Sequence, residues 1–402
     1  MKHATFFKRF LSLLLVLALM AGNVLPGMAL EIGKDETGKT TVSFTRVDND
    51  RVSASLRPNG RTENTVEAEY AATDVVRVSI ILEKASTIKA GFSTTDIAVN
   101  QAAVTYRENL KKDQTTVINR IEQATKSDLD VVWNLTLAAN IVSANVQYGQ
   151  IKTIENLPGV KSVVIENQYL PSKAENGAIA PNMATSGGQI GSGLAWNAGY
   201  TGAGTRIAVV DTGTDTDHQS LNPQAFEYAL ALLAEKAGMS YEDYIESLDL
   251  LDAEEIASVA DKLNIKDYLD PEKAYFNTKL PFGFNYKDAD YDIVHDNDEQ
   301  GEHGSHVAGI ATANSWLYNG KDYVKALEYC FMQGVAPEAQ LLTMKVFGKN
   351  GSPYDSDYMA AIEDAVILGA DVVNLSLGSD NGFAEDDTAA GEVYDRDRKS
   401  VV

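Results

Sequence analysis

The hydrophobic positions of this chain change period several times, and each change predicts a different kind of element. An apolar run spans 10–21, broken only by Ser12, behind the basic Lys2, Lys8 and Arg9. Small residues, Gly27 and Ala29, follow at the spacing of a cleavage site. This predicts a signal peptide over 1–29, the run being short for a membrane span; a retained anchor is the alternative. Residues 30–70 are polar and rich in Thr, Asn, Asp and Glu, which predicts a tether without a core. The next stretch alternates strand-like and helix-like patterns. Strands are predicted at 75–82, 129–136, 139–146 and 160–165, and helices at 104–124 and 148–156. The order β-α-β-β-α-β is that of the ferredoxin-like split motif, so 71–172 is predicted to be an α+β domain. A polar, glycine-containing linker follows at 173–190.

Beyond the linker the apolar runs are continuous. Residues 207–210 (IAVV) predict a strand buried on both faces, as in parallel sheets. The long segment 222–280 carries EYALALLAEKAG and DAEEIASVADKLN, patterns of acidic amphipathic helices. It reads as an inserted subdomain bordering a cleft, or as solvated decoration. The fold class is therefore α/β, with the parallel sheet over 191–391 and an atypical charged tail at 392–402.

Two polar positions carry the candidate chemistry. Asp211, followed by Thr212 and Gly213, stands at the carboxyl end of the 207–210 strand, where open α/β sheets place ligands. His303 opens HGSHVAGI, a helix start made of small residues. A carboxylate on one ring nitrogen fixes a histidine's tautomer and stabilises its imidazolium, and the other nitrogen can then take a proton from a hydroxyl nucleophile.

These blocks resemble the subtilisin-like serine proteases. GYTGAGTRIAVVDTGTDTDHQSL (199–221) is similar to that family's aspartate region, including His218 in the following turn. GVAPEAQLLTMKVFGKNGS (334–352) resembles the next strand and substrate-edge loop, and AIEDAVILGADVVNLSLGS (361–379) a helix followed by the strand that pairs with bound peptide. The resemblance implies that Asp211 and His303 are two members of an Asp-His-Ser triad. It also implies that Gly351, Ser352 and Pro353 border one side of the substrate cleft, and Ser376, Leu377 and Gly378 the other. LPGVKSVVIENQYLP (157–171) resembles the close of a subtilisin-propeptide inhibitor domain, whose tail occupies the cleft until cut; an independent binding domain is the alternative. The long 222–280 insertion is similar to elaborations in large Gram-positive cell-envelope, lactocepin-like members.

DTG is also an aspartic-protease signature, but those enzymes need two such aspartates, and no second DTG or DSG with an apolar flank occurs. His303 and His306 lack the HExxH spacing of a zinc pair, since Glu302 precedes the first histidine. His306 reads instead as a packed structural histidine. Ser376 as nucleophile and Asn374 as oxyanion donor are disfavoured, because both lie in a strand and not on a tight turn. No cofactor is required by this chemistry. Calcium is an open reading for Asp288, Asp290, Asp292 and Glu299, whose spacing approaches a calcium loop although Ile293 stands where glycine is needed; a solvated acidic turn is the other.

The nucleophilic serine expected in a GTSMA-like turn does not occur before Val402, so it is expected beyond this chain, which alone is predicted inactive. A formal charge of −23 argues against nucleic-acid and anionic-membrane partners. One cysteine, Cys330, permits no internal disulfide, which fits bacterial export. The expected partners are protein or peptide substrates and the chain's own propeptide in cis. The expected class is a secreted or cell-envelope serine endopeptidase precursor, with a non-catalytic inhibitor or binding module as the alternative.

Overall fold

The computed structural model describes residues 28–34, 40–46, 70–171, 183–296, 298, 301–349 and 351–378. Most of the predicted signal peptide and the whole 392–402 tail lie outside them. The chain divides into two units, 1–69 and 70–402. In the first, β1 (Met28–Lys34) pairs antiparallel with β2 (Thr40–Arg46), Leu30 opposite Phe44 and Ile32 opposite Val42. A hairpin thus occupies part of the expected tether. The alternation of apolar and polar residues in both segments suits strand pairing.

The second unit opens with the α+β elements: β3 (Val75–Leu82), α1 (Gln101–Thr125), β4 (Asp130–Leu135), β5 (Ile141–Gln147), α2 (Ile151–Glu155) and β6 (Val160–Ile165). Asn100 caps α1 by accepting from the amides of Ala102 and Ala103, and Lys126 ends it in the left-handed conformation. The four strands form an antiparallel sheet in the order β4-β5-β3-β6. Its two faces follow residue parity. Val76, Val78, Ile80, Val142, Ala144 and Val146 pack with Val117, Ile121 and Ile154 of the two helices. The opposite parity, Ser79, Ile81, Ile141 and Ser143, points away from them and is equally buried.

The rest of the unit continues with β7 (Leu170–Pro171), α3 (Met183–Ile190), α4 (Ser192–Asn197) and β8 (Arg206–Asp211). Helix α3 falls within the expected 173–190 linker. Next come α5 (Pro223–Ala237), α6 (Tyr241–Leu248), α7 (Ala253–Val259), α8 (Pro271–Ala274) and β9 (Phe282–Asn285). The series closes with α9 (His303–Thr312), β10 (Trp316–Tyr318), β11 (Tyr323–Lys325), α10 (Ala326–Tyr329), β12 (Gln340–Lys345), α11 (Asp355–Ile367), β13 (Val372–Leu375) and β14 (Leu377–Gly378).

A parallel sheet, β13-β8-β12-β9, organises this part. Its central strands are buried on both faces, and parity again sorts them. Val209 and Leu341 pack with Ala308 of α9, while Ala208, Val210, Leu342 and Met344 share a core with Tyr358, Ala361 and Ala365 of α11. Helices therefore cover both faces, the layer arrangement expected of an α/β sheet.

The 222–280 segment forms helices as predicted, and one set of its contacts lies at the strands' amino ends, opposite Asp211. The Arg206 guanidinium at the start of β8 binds Glu255 and the carbonyl of Asp249, and Gln340 at the start of β12 accepts from the amide of Leu251. Phe226, Leu230, Leu251, Ile256, Leu263 and Ile265 are buried, so it is neither solvated decoration nor, at these contacts, a cleft border. Leu251, Ile256, Leu263 and Ile265 join the core that holds Ala208, Val210, Leu342 and Met344, whereas α6 has no buried residue.

Candidate active site

Parallel strands β8 and β12 end together, with Asp211 opposite Lys345. At that edge His303 Nδ1 lies 2.8 Å from Asp211 Oδ1. The chain separation of 92 residues is closed by small residues. Gly304 at the start of α9 sits where a Cβ would come within 2.2 Å of the Gly213 carbonyl oxygen, and Gly213 adopts φ +112° against the Ile293 backbone. Thr212 adds two bonds: its hydroxyl accepts from the Gly304 amide at 2.9 Å and donates to the Gly301 carbonyl at 3.1 Å. The first turn of α9 is thereby fixed to the end of β8, and the imidazole with it.

Asp211 is 2% exposed, whereas the His303 side chain is 19% exposed, so the pair has one buried and one open end. Burial pushes the Asp211 carboxyl above the ordinary aspartate range, opposed by hydrogen bonds from His303 and the Thr212 amide. The arrangement suits a carboxylate that orients an imidazole and answers its positive charge. It does not suit an aspartate pair, because the partner of Asp211 is a histidine. Nor does it suit a zinc pair: His303 Nδ1 is engaged by Asp211, and His306 is exposed. The expectation that His306 is packed is thus corrected. It stands three residues after His303 on a helix whose buried positions are Gly304, Ala308 and Thr312.

The two expected cleft edges flank one extended segment. Leu377 and Gly378 of β14 pair antiparallel with Pro171 and Leu170 of β7. On the other side the Tyr169 amide donates to the Pro353 carbonyl at 3.2 Å, and Gln168 bridges to Tyr354. Gly351 pairs with Gly348 in a tight reversal, with Ser352 half-buried beyond it. Ser376 lies in the break between β13 and β14 and not inside a strand as expected, and it donates its hydroxyl to Asn374 Oδ1 at 2.9 Å.

Three of the four acidic candidates, Asp288, Asp290 and Asp292, are among the described residues. Asp288 accepts from Asn285 Nδ2 and the Lys349 amide, and Asp290 from the Asp292 amide. Ile293 is buried against the core. Glu299 lies outside the described residues. Among the described residues no three His, Cys, Asp or Glu side chains are grouped to hold a metal.

Residues 202–401 match the family model described as the subtilase family. This chain belongs to the subtilase family. Among curated relatives, the PI-type proteinase of Lactococcus lactis subsp. cremoris is 32% identical over 275 residues, 67% of this chain and 12% of that protein. The minor extracellular protease Vpr of Bacillus subtilis (strain 168) is 29% identical over 207 residues, 50% of this chain and 17% of that protein. A C5a peptidase of Streptococcus pyogenes is 31% identical over 179 residues, 44% of this chain and 12% of that protein. The chain therefore spans a small fraction of these relatives' length. A crystal structure of the epidermin leader peptide processing serine protease from Staphylococcus aureus aligns with 81% of this chain and 57% of that one, at 16% identity and a TM-score of 0.41.

Several residues that build this subtilase site were not singled out from sequence. Lys345 is buried, and its ammonium reaches the Thr212 carbonyl at 2.5 Å and Asp298 at 2.6 Å. Glu363 and Asp364 are buried within α11. A signal existed for each: LLTMKV and AAIEDAV are apolar runs interrupted by charge, which is costly inside a protein unless paired. Glu166, which accepts from the hydroxyls of Ser79, Ser143 and Ser356, carried no such mark.

Proposed function

We propose that this protein is a secreted subtilisin-like serine endopeptidase made as a precursor, in which Asp211 orients His303 as general base for a serine outside the described residues. The observation that carries this reading is the 2.8 Å contact between His303 Nδ1 and Asp211 Oδ1 at the carboxyl edge of a parallel sheet. With Nδ1 held by the carboxylate, Nε2 is the nitrogen that takes the hydroxyl proton as the serine attacks a peptide carbonyl. It then returns that proton to the leaving amine.

Residues 71–172 act in this reading as the inhibitory propeptide. Their segment 168–171 runs between Pro353 and Tyr354 on one side and Leu377 and Gly378 on the other. Main-chain pairing with an extended peptide is independent of side-chain identity, so a substrate can bind the same way once the segment leaves. Gly351, Ser352 and Ser376 then border that peptide. Secretion follows from the apolar 10–21 run behind Lys8 and Arg9, and agrees with a relative that is extracellular by name. Among the described residues no helix is long and apolar enough to cross a membrane. Calcium in the 288–299 turn stays a proposal carried by sequence spacing alone, and a calcium titration of the chain's melting temperature tests it.

The enzymatic reading is tested on the full-length protein with a fluorophosphonate probe, which labels a serine activated by a neighbouring base. Labelling that disappears with His303→Ala supports the triad. Proteolytic activity without labelling, stopped by a carboxylate-directed reagent, overturns it.

A further inference from the structure

Resting on the reading of residues 71–172 as propeptide, we propose that the 222–280 insertion is one wall of the surface that receives this domain and selects the cognate one. Three observations meet at the same place. The first is Arg107 in the second turn of α1, only 4% exposed. Its Nη2 donates to the Lys262 carbonyl of the insertion at 3.1 Å, and its Nε to Thr136 Oγ1 of its own domain at 3.4 Å. Lys262 closes a single helical turn after α7, and a carbonyl at such an end is a favourable acceptor for a cation.

The second is Asn264. Its amide donates to Asp364 Oδ1 at 2.6 Å, and its Nδ2 to Glu363 Oε2 at 3.3 Å. Glu363 in turn faces four successive amides of the α+β domain. Oε1 accepts from Leu137 at 2.7 Å, Ala138 at 2.8 Å and Ala139 at 3.4 Å, and Oε2 from Thr136 at 3.2 Å. A run of amides converging on one carboxylate is an anion receptor, and such charge-assisted bonds are stronger than neutral ones. Asn264 is a positioning residue here: it holds the Glu363 carboxylate that the 136–139 turn must find. The third observation is apolar. Ile97, Ala103 and Leu137 from the α+β domain belong to one continuous buried cluster with Val259, Leu263 and Ile265 from the insertion.

The geometry has a selective consequence. A domain without an arginine at the Arg107 position leaves the half-buried Lys262 carbonyl without that donor. A domain with a displaced 136–139 turn leaves Glu363 buried and charged without its amides. Both are penalties for the wrong domain, so discrimination comes from unmet polar groups as well as from fit.

The test uses the whole chain, immobilised by its carboxyl end, tagged at its amino end, with a specific protease site placed within residues 172–179. After cutting, loss of the tag measures release of the amino-terminal part and requires no catalysis. Arg107→Ala and Asn264→Ala are expected to speed release about tenfold or more, while Glu246→Ala on the exposed face of the insertion leaves it unchanged. In the uncut chain, Asn264→Ala should also speed hydrogen exchange at Leu137, Ala138 and Ala139 without changing exchange at Leu342 and Met344 in the central strand. Should either alanine variant unfold, Arg107→Lys decides, because an ammonium cannot reproduce the two-sided reach of the guanidinium. Release at the unaltered rate in the folded variants overturns the wall alone. Immediate release from the unaltered chain overturns the propeptide reading with it, and the Asp211–His303 reading stands or falls separately on probe labelling.

Discussion

Asp211 gives one carboxylate oxygen, Oδ1, to His303 Nδ1 at 2.8 Å, while its Oδ2 is buried with no hydrogen-bond partner among the described residues. The contact is one-sided, so the tautomer of His303 depends on a single bond. Asp211→Asn can present an amide nitrogen where the oxygen stood and then favours the wrong tautomer. Under the proposed triad, peptidase activity is expected to fall about 10⁴-fold in kcat with little change in fold, by analogy with the same substitution in other triads. Steady-state hydrolysis of a peptide substrate, read beside the circular dichroism spectrum, checks this. Loss of less than tenfold removes Asp211 from the mechanism.

The close approach of Gly304 to Gly213 should be intolerant of a single methyl group. In Gly304→Ala the new Cβ meets the Gly213 carbonyl oxygen at 2.2 Å and backbone nitrogens of Gly213 and Thr212 at about 3 Å. Backbone cannot swing aside as a side chain can. A destabilisation of about 1–3 kcal/mol is expected, together with a longer Asp211–His303 separation. Denaturant unfolding measures the first and the histidine ring resonances the second.

Asp364 provides a pH dependence with a defined sign. Burial, and next the neighbouring charge of Glu363, raise its pKa from 3.8 to about 7, against hydrogen bonds from Asn264 and Tyr286. The folded chain therefore keeps a proton that the unfolded chain releases. Its stabilising contribution is fully present below the ordinary value and is lost as pH rises through about 7. Unfolding free energy should fall between pH 4 and 8 more steeply than in Asp364→Asn. Parallel curves for the two proteins would show that Asp364 does not titrate in this window.

Tyr169 anchors the segment that lies between the two edges. Its hydroxyl donates to Asp355 Oδ1 at 2.6 Å, and its ring meets Tyr358 edge-on with centroids 5.3 Å apart. Tyr169→Ala removes a buried aromatic, a change that costs about 3–5 kcal/mol in a packed site. Inhibition of the mature enzyme by residues 71–172 in trans should weaken at least a hundredfold. Unchanged inhibition assigns the blocking to the domain's sheet face instead of its tail.

Sequence alone determined the local elements and the chemistry-bearing residues, because both are written in short-range pattern. The strands Val75–Leu82 and Val160–Ile165 fall on the predicted bounds, since alternation and β-branched content act within a few residues. Asp211 and His303 were legible because a carboxylate ending an apolar strand and a histidine opening a small-residue helix are local signatures. What only the tertiary structure decided is where surfaces meet. The 222–280 helices showed apolar stripes, but a stripe does not name its partner, and the fold set part of the segment against the amino ends of the strands and part against the α+β domain. Glu363 facing four amides, Lys345 reaching Thr212 and Asp298, and Asn264 holding Glu363 join residues 47–227 positions apart. A buried charge announces that it needs a partner, and only the packed chain says which one.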